Sequence, residues 1–158
     1  MSRVEGQNFT ILLIEDNAAD ARLVREALAE NKMLVEVETA RSGEEALDRL
    51  FRRTPYQEAP LPDLILLDLN LPGVDGREVL AQIKGDARLK RIPVVILSTS
   101  QADDDIVRSY DLNANAYVVK PLDFDKFVAI VRDTSQFWLT VAVLPDGRLD
   151  RRRQEPAP

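Results

Sequence analysis

The chain has 158 residues, of which 45% are hydrophobic and 30% charged, and its formal net charge is −6. These values predict one globular domain with a packed core, and the negative charge disfavours nucleic acid and anionic membrane surfaces as partners. The sequence contains neither cysteine nor histidine. This excludes disulfides, zinc–thiolate sites, Ser-His-Asp catalysis and a phosphohistidine on this chain.

Short apolar runs alternate with helical patterns along the chain. Four runs are compact and apolar, as strands buried on both faces should be, and a fifth alternates as a strand nearer an edge would. The predicted strands cover residues 9–14, 34–39, 64–67, 94–97 and 116–119. Strict alternation of strand and helix predicts an α/β fold with a doubly wound, five-stranded parallel sheet, for which a common strand order is 2-1-3-4-5.

Amphipathic stripes and capping signals mark the helices between and after the strands. Ser42 followed by Glu45 fits a capping box, and Asp123 is a plausible N-cap for the last helix. The fourth helix has a short stripe, Ile106 and Tyr110, and the last helix has the longest one. The stripe of the last helix consists of Phe124, Phe127, Val128, Val131, Ser135 and Trp138.

The domain boundaries follow from these patterns. We expect a flexible N-terminus over residues 1–8, a domain over residues 9–144 with a C-terminal extension from about residue 137, and a disordered tail over residues 145–158. The apolar run 9–14 is too short for a signal-peptide core or a membrane span. We therefore expect a soluble protein of the cytoplasm.

Polar residues follow the predicted strands at their carboxyl ends, where ligands bind in open α/β sheets. Glu15 and Asp16 follow the first strand and Asp68 the third, while Ser98 ends the fourth and Lys120 the fifth. Two like charges about 4 Å apart repel by roughly 4 kcal/mol at an effective dielectric near 20, so three converging carboxylates need compensation. Lys120 offsets one charge, and a hard divalent cation offsets the others. Mg²⁺ fits best, Mn²⁺ is an alternative, and zinc fits poorly.

A carboxylate pocket with a metal, a lysine and a hydroxyl suits phosphoryl transfer. Asp68 is the natural acceptor, because Glu15 and Asp16 are then free to hold the metal. Its carboxylate would attack an in-line phosphorus and form an acyl phosphate. Lys120 would act as a fixed charge, and Ser98 would donate a hydrogen bond to the phosphoryl group.

Four segments, residues 11–17, 64–76, 94–100 and 116–121, together resemble the receiver domain of bacterial two-component response regulators. The similarity extends over roughly residues 9–139. It implies that Asp68 is the phosphoacceptor of a phosphoprotein switch that is not an enzyme. The metal ligands it implies are Glu15, Asp16, Asp68 and the backbone carbonyl of Asn70.

The resemblance also implies roles on the opposite side of the pocket. Ser98 corresponds to the family's hydroxyl, with Thr99 beside it, and Tyr117 corresponds to the switch aromatic. Lys120 corresponds to the invariant lysine, and its bond to Pro121 is expected to be cis. In this family a partner histidine kinase supplies the phosphoryl group from its own histidine. The sequence departs from the family pattern in two mild ways, with Glu-Asp as the acidic pair and Ser-Thr where many members have Thr-Ala.

The C-terminal run 137–145, with the longer loop before the third strand, resembles small stand-alone regulators paired with bacterial phytochrome kinases. A bacteriophytochrome is therefore the expected kinase. The run carries more apolar residues than one helix stripe can bury, which favours a homodimer. The predicted interface comprises Ile130, Phe137, Val141 and Leu144. The alternative is that the extension folds back onto its own domain.

Three other functions share part of this sequence pattern. A flavodoxin-type flavin binder would share the strand order, but residues 15–17 place carboxylates where a phosphate-binding loop is needed. A haloacid-dehalogenase-like Mg²⁺ phosphatase also uses an aspartyl nucleophile, but it needs a second acid at the position of Asn70. A pseudo-receiver would act only as an interaction module, and the complete set of acids, lysine and hydroxyl argues against it.

Overall fold

The computed structural model describes residues 9–29 and 35–144, except for the side chain of Val141. Strands and α-helices alternate through this part of the chain. In chain order they are β1 Phe9–Ile14, α1 Ala18–Ala29, β2 Val35–Ala40, α2 Gly43–Leu50, β3 Leu64–Leu67, α3 Gly76–Gly85, β4 Val94–Ser98, α4 Asp103–Asp111, β5 Ala116–Val119 and α5 Phe124–Gln136. A π-helical turn, Phe137–Val141, continues directly from α5.

The five strands form one parallel sheet in the order β2-β1-β3-β4-β5. This confirms the predicted fold class and strand order. In the register between β1 and β3, Ile14 lies opposite Leu67, so these two central strands end at the same level. The residues that follow them therefore meet at the carboxyl edge of the sheet. The segments predicted to be a flexible N-terminus (1–8) and a disordered tail (145–158) lie outside the described residues.

The core lies in two layers, one on each face of the sheet. Along β1, Leu12 and Ile14 belong to the layer that α2 and α3 cover, and Ile11 and Leu13 belong to the layer that α1 and α5 cover. Every residue of β1, β3 and β4 is buried. Two-sided burial explains why these strands are continuous apolar runs. The edge strands β2 and β5 are mostly half-buried.

Two side chains of the predicted helix stripes are exposed instead of buried. Tyr110 on α4 is 49% exposed and Phe124 on α5 is 68% exposed. The reason is position, since α4 lies over the half-buried edge strand β5 and Phe124 is the first residue of its helix. The rest of the α5 stripe packs inward, with Phe127, Val131 and Ser135 buried.

Both predicted helix caps are confirmed. The Ser42 hydroxyl accepts the Glu45 N–H at 3.1 Å, and the Asp123 carboxylate accepts the Lys126 N–H at 3.0 Å. The Glu45 carboxylate accepts the N–H of Arg41 at 3.0 Å, one residue before the cap. The caps fix where α2 and α5 begin, and the start of α5 lies shortly after Lys120.

Part of the C-terminal extension packs onto its own domain. Leu139 is 3% exposed, and Trp138 and Leu144 are partly buried against the α1–α5 layer of the core. Phe137 remains 49% exposed. Among the described residues, no helix has the length and apolar character needed to cross a bilayer.

Candidate functional site

Backbone hydrogen bonds fix the residues at the carboxyl edge of the sheet. The Asp68 N–H donates to the Ile14 carbonyl and the Glu15 N–H donates to the Ala40 carbonyl, each at 3.0 Å. The Lys120 N–H donates to the Ser98 carbonyl at 2.7 Å. These bonds extend the ladders of β1, β3 and β5 beyond the strands, so the site residues share the rigidity of the sheet.

Lys120 is the centre of the polar cluster. Its Nζ donates to a carboxylate oxygen of Glu15, to Asp20 Oδ2 at 3.0 Å and to Asp68 Oδ2 at 3.2 Å. Lys120 and Asp68 are each 8% exposed, and Glu15 is 3% exposed. Burial opposes the lysine charge, but the bond to Glu15 and the attraction of Glu15 and Asp68 outweigh it and raise the pKa of Lys120. Lys120 is therefore a fixed positive charge.

Glu15 is a buried carboxyl group with a strongly raised pKa. Burial, together with the neighbouring Asp68 carboxylate, raises the pKa of Glu15 to about 8, although Lys120 acts in the opposite direction. Its Oε2 is buried and has no hydrogen-bond partner among the described residues. A buried carboxylate oxygen without a partner is costly, which indicates that the site is built to hold something more than its own side chains.

The acidic side chains fit a hard divalent cation. One carboxylate oxygen each from Glu15, Asp16 and Asp68 lie within 4.8 Å of one another, and Asp16 is exposed. All the donors are oxygens, and their negative charge exceeds what Lys120 offsets, which suits Mg²⁺ or Mn²⁺. The Asn70 N–H donates to Asp68 Oδ1 at 3.0 Å, which orients the Asp68 carboxylate.

The hydroxyl side of the site lies at the end of β4. Ser98 is fully buried, and its Oγ accepts the Ser100 N–H at 3.1 Å. Thr99, the next residue, is exposed. Tyr117 is half-buried, and its hydroxyl donates to the Ser100 carbonyl at 3.0 Å. Ser98 and Tyr117 are thus both linked to Ser100.

The sequence interpretation missed Asp20 and was wrong about one peptide bond. Asp20 lies on the first turn of α1, where the helix dipole already explains an acidic residue, so the sequence carried no separate signal for its place in the site. Thr54–Pro55 is the cis bond in the described part of the chain, so Lys120–Pro121 is trans. The trans form is the default of an X–Pro bond by about 0.5–1 kcal/mol.

The comparison with known families agrees with this geometry. A model of the response regulator receiver domain matches residues 11–132. The chain belongs to this family. The receiver domain is 46% identical over 135 residues to the response regulator Rcp1 of Synechocystis sp., an alignment that covers 85% of this chain and 92% of that protein.

Two solved structures share the fold of the receiver domain closely. One is the phosphorylated cyanobacterial phytochrome response regulator RcpA, with a TM-score of 0.87, 52% identity, and coverage of 89% of this chain and 100% of that chain. The other is the Mn²⁺-bound form of Rcp1, with a TM-score of 0.84, 45% identity, and coverage of 87% and 99%. Both relatives span nearly the same length as the described part of this chain.

Proposed function

We propose that this receiver domain is a phosphoacceptor switch that takes a phosphoryl group from a partner histidine kinase. In this step an oxygen of Asp68 attacks the phosphorus atom and forms an aspartyl acyl phosphate. The P–N bond to the kinase imidazole breaks, and its electron pair stays on the imidazole nitrogen, which leaves. One observation carries the proposal. The buried Asp68 carboxylate lies between the Lys120 ammonium and the Asn70 N–H, so a nucleophile is held in one orientation beside a fixed positive charge.

We infer that Glu15, Asp16, Asp68 and the backbone carbonyl of Asn70 hold Mg²⁺, with Mn²⁺ able to replace it. When bound, the cation would neutralise the oxygens of the transferred phosphoryl group. The close approach of the three carboxylates and the unpaired Glu15 Oε2 support this. The Mn²⁺-bound form of the relative Rcp1 adds further support.

Ser98 and Tyr117 are the proposed switch residues. The Ser98 hydroxyl still has its proton to donate, because its Oγ acts as an acceptor toward Ser100. After phosphorylation it would donate to the new phosphoryl oxygens. Since the Tyr117 hydroxyl bonds to the Ser100 carbonyl, movement of this segment would reach the face of β5. Thr99, which is exposed, would lie at the entrance to the phosphoryl site.

The proposed kinase is of the phytochrome type, acting in the cytoplasm. The support is the similarity to RcpA, which is a cyanobacterial phytochrome response regulator. An apolar surface next to the site suits a protein partner, with Leu122 96% and Phe124 68% exposed. Phe124 lines a cavity of about 450 Å³ together with Ala19 and Leu23 of α1.

We also propose that the receiver domain forms a homodimer through the outer face of α5 and its extension. Phe137, at the start of the π-helical turn, is 49% exposed, and Ile130 on α5 is half-buried. Leu144 belongs to this proposed interface only in part, because it also packs on its own core. The side chain of Val141, the remaining predicted interface residue, is outside the described part of the structure.

Acetyl phosphate with Mg²⁺, followed by intact mass measurement, tests the phosphoacceptor. We expect a gain of one acid-labile phosphoryl group, lost in Asp68→Asn and reduced when the metal is chelated. Asp48→Asn, which changes a carboxylate on α2 that pairs with Arg53 and is not part of the acidic cluster, should label like the wild type.

The outcomes of this experiment separate the alternatives. Labelling that persists in Asp68→Asn would identify another acceptor. Failure of the wild type to label would favour a pseudo-receiver, and steady hydrolysis of phosphate monoesters beyond one equivalent would favour a phosphatase. Flavin absorbance in the purified protein would indicate a flavodoxin-type site.

A further inference from the structure

Ser100, in the connection between β4 and α4, is held from four directions. Its N–H donates to Ser98 Oγ at 3.1 Å, and its Oγ donates to Asp105 Oδ2 at 2.6 Å. The same Oγ accepts the Ala102 N–H at 3.2 Å, and its carbonyl accepts the Tyr117 hydroxyl at 3.0 Å. A residue of an otherwise exposed connection is thus fixed relative to the buried Ser98 hydroxyl.

Asp105 connects this serine to the other side of the site. Its second oxygen, Oδ1, accepts from the Arg77 guanidinium, which also donates to both oxygens of Asp75 at 3.3 and 3.2 Å. Arg77 and Asp105 side chains are only 20% and 24% exposed. Arg77 is on the first turn of α3, and the first residue of that helix, Gly76, donates its N–H to the carbonyl of Leu69, the residue after Asp68. The polar chain therefore runs from α3 through α4 to Ser98.

Asp105 differs from the two aspartates before it. Asp103 and Asp104 are exposed, and their position at the start of α4 is explained by the helix dipole. Asp105 is half-buried, and the Ser100 hydrogen bond and the Arg77 ion pair lower its pKa. A half-buried charge with two specific partners requires a reason beyond the dipole.

We propose that Arg77 and Asp105 are positioning residues that act through Ser100 to orient the Ser98 hydroxyl toward the phosphoryl site. The inference rests on the proposed phosphoacceptor function of Asp68. Ser98 Oγ accepts the Ser100 N–H with one of its lone pairs. Fixing the position of Ser100 therefore fixes the direction in which the Ser98 O–H points. Supporting residues that lock a reacting group commonly change its effectiveness when removed.

The test is the rate of Asp68 labelling by acetyl phosphate with Mg²⁺. We expect Arg77→Met to slow labelling by about two- to thirtyfold, the range seen for mutations within such networks. Asp105→Asn should slow it as well, since its amide no longer attracts Arg77, and this second variant covers the case in which Arg77→Met does not fold. Arg53→Met is the matched control, because Arg53 forms an exposed ion pair with Asp48 and, among the described residues, takes no part in the hydrogen bonds of Ser100, Asp105 and Arg77.

A double-mutant cycle separates positioning from a general loss of structure. In the Ser98→Ala background, Arg77→Met should cause no further slowing, and hydrogen exchange at the Ser100 amide should be faster in Arg77→Met alone. Full slowing in the Ser98→Ala background, or wild-type labelling rates in Arg77→Met and Asp105→Asn, would overturn the inference. If the wild type itself does not label at Asp68, the proposed function fails first, and the two failures are thus distinguished.

Discussion

At the scale of single residues, Glu15 makes the site sensitive to pH. Its pKa is about 8 in the folded protein against an ordinary value of 4.5, so the folded state binds this proton more tightly than the unfolded chain does. The free energy of unfolding should therefore fall as pH rises from about 4.5 to 8 and level off above that range. The raised pKa of Lys120 acts only above its ordinary value of 10.5, outside this window.

Urea denaturation in the presence of a chelator, repeated between pH 5 and 8.5, measures this slope. Glu15→Gln should flatten it, because the amide has no proton to lose. Glu26→Gln, at an exposed glutamate paired with Arg22, should keep the wild-type slope. An identical slope in Glu15→Gln would assign the pH dependence to another group.

The sequence allowed prediction of those site residues that end strands, and it failed for those on helices. Glu15, Asp68 and Lys120 were identified because parallel strands place their carboxyl ends at one edge. Asp20 and Asp105 lie on helices, where a carboxylate in the first turn is already explained by the dipole. Only the three-dimensional partners of these two residues distinguish them from ordinary helix starts.

At the scale of elements, Gly76 allows α3 to begin directly against the Asp68 segment. A Cβ at Gly76 would lie 2.4 Å from the Asp68 carbonyl oxygen and 2.6 Å from the Leu69 Cα. Both neighbours are backbone, so relief requires moving α3 or the end of β3. We expect Gly76→Ala to lower the free energy of unfolding by about 1–3 kcal/mol, the usual cost of overpacking.

Chemical denaturation of Gly76→Ala and Gly85→Ala tests this packing. Gly85 is the last residue of the same helix, and a Cβ there meets nothing within 4 Å. Gly85→Ala should therefore be neutral or slightly stabilising, by up to about 1 kcal/mol. Equal stability of Gly76→Ala and the wild type would show that α3 can shift freely, contrary to its packing in the structure.

At the scale of the whole molecule, the alternation of elements predicted the parallel sheet, and the order common to such sheets supplied the strand order, but neither predicted the extent of burial. Apolar periodicity shows which helix face is apolar and leaves open whether a second layer covers it. Tyr110 and Phe124 continue their stripes and are still exposed, whereas Leu139 in the extension is buried. Burial at the ends of helices depends on how far neighbouring elements reach, which sequence patterns do not encode.

Phe137 is the residue on which the proposed homodimer depends most. Its ring is 49% exposed and packs edge-on against Trp138, with ring centroids 5.5 Å apart, while Trp138 itself packs on the core. A rigid, half-exposed aromatic ring is typical of an interface anchor. We expect sedimentation of the wild type as a dimer and a shift of Phe137→Glu toward monomer. Leu122 is 96% exposed and lies outside the predicted interface, so Leu122→Glu should leave the dimer intact. A wild-type monomer at micromolar concentrations, or an unchanged Phe137→Glu dimer, would exclude this surface as the interface.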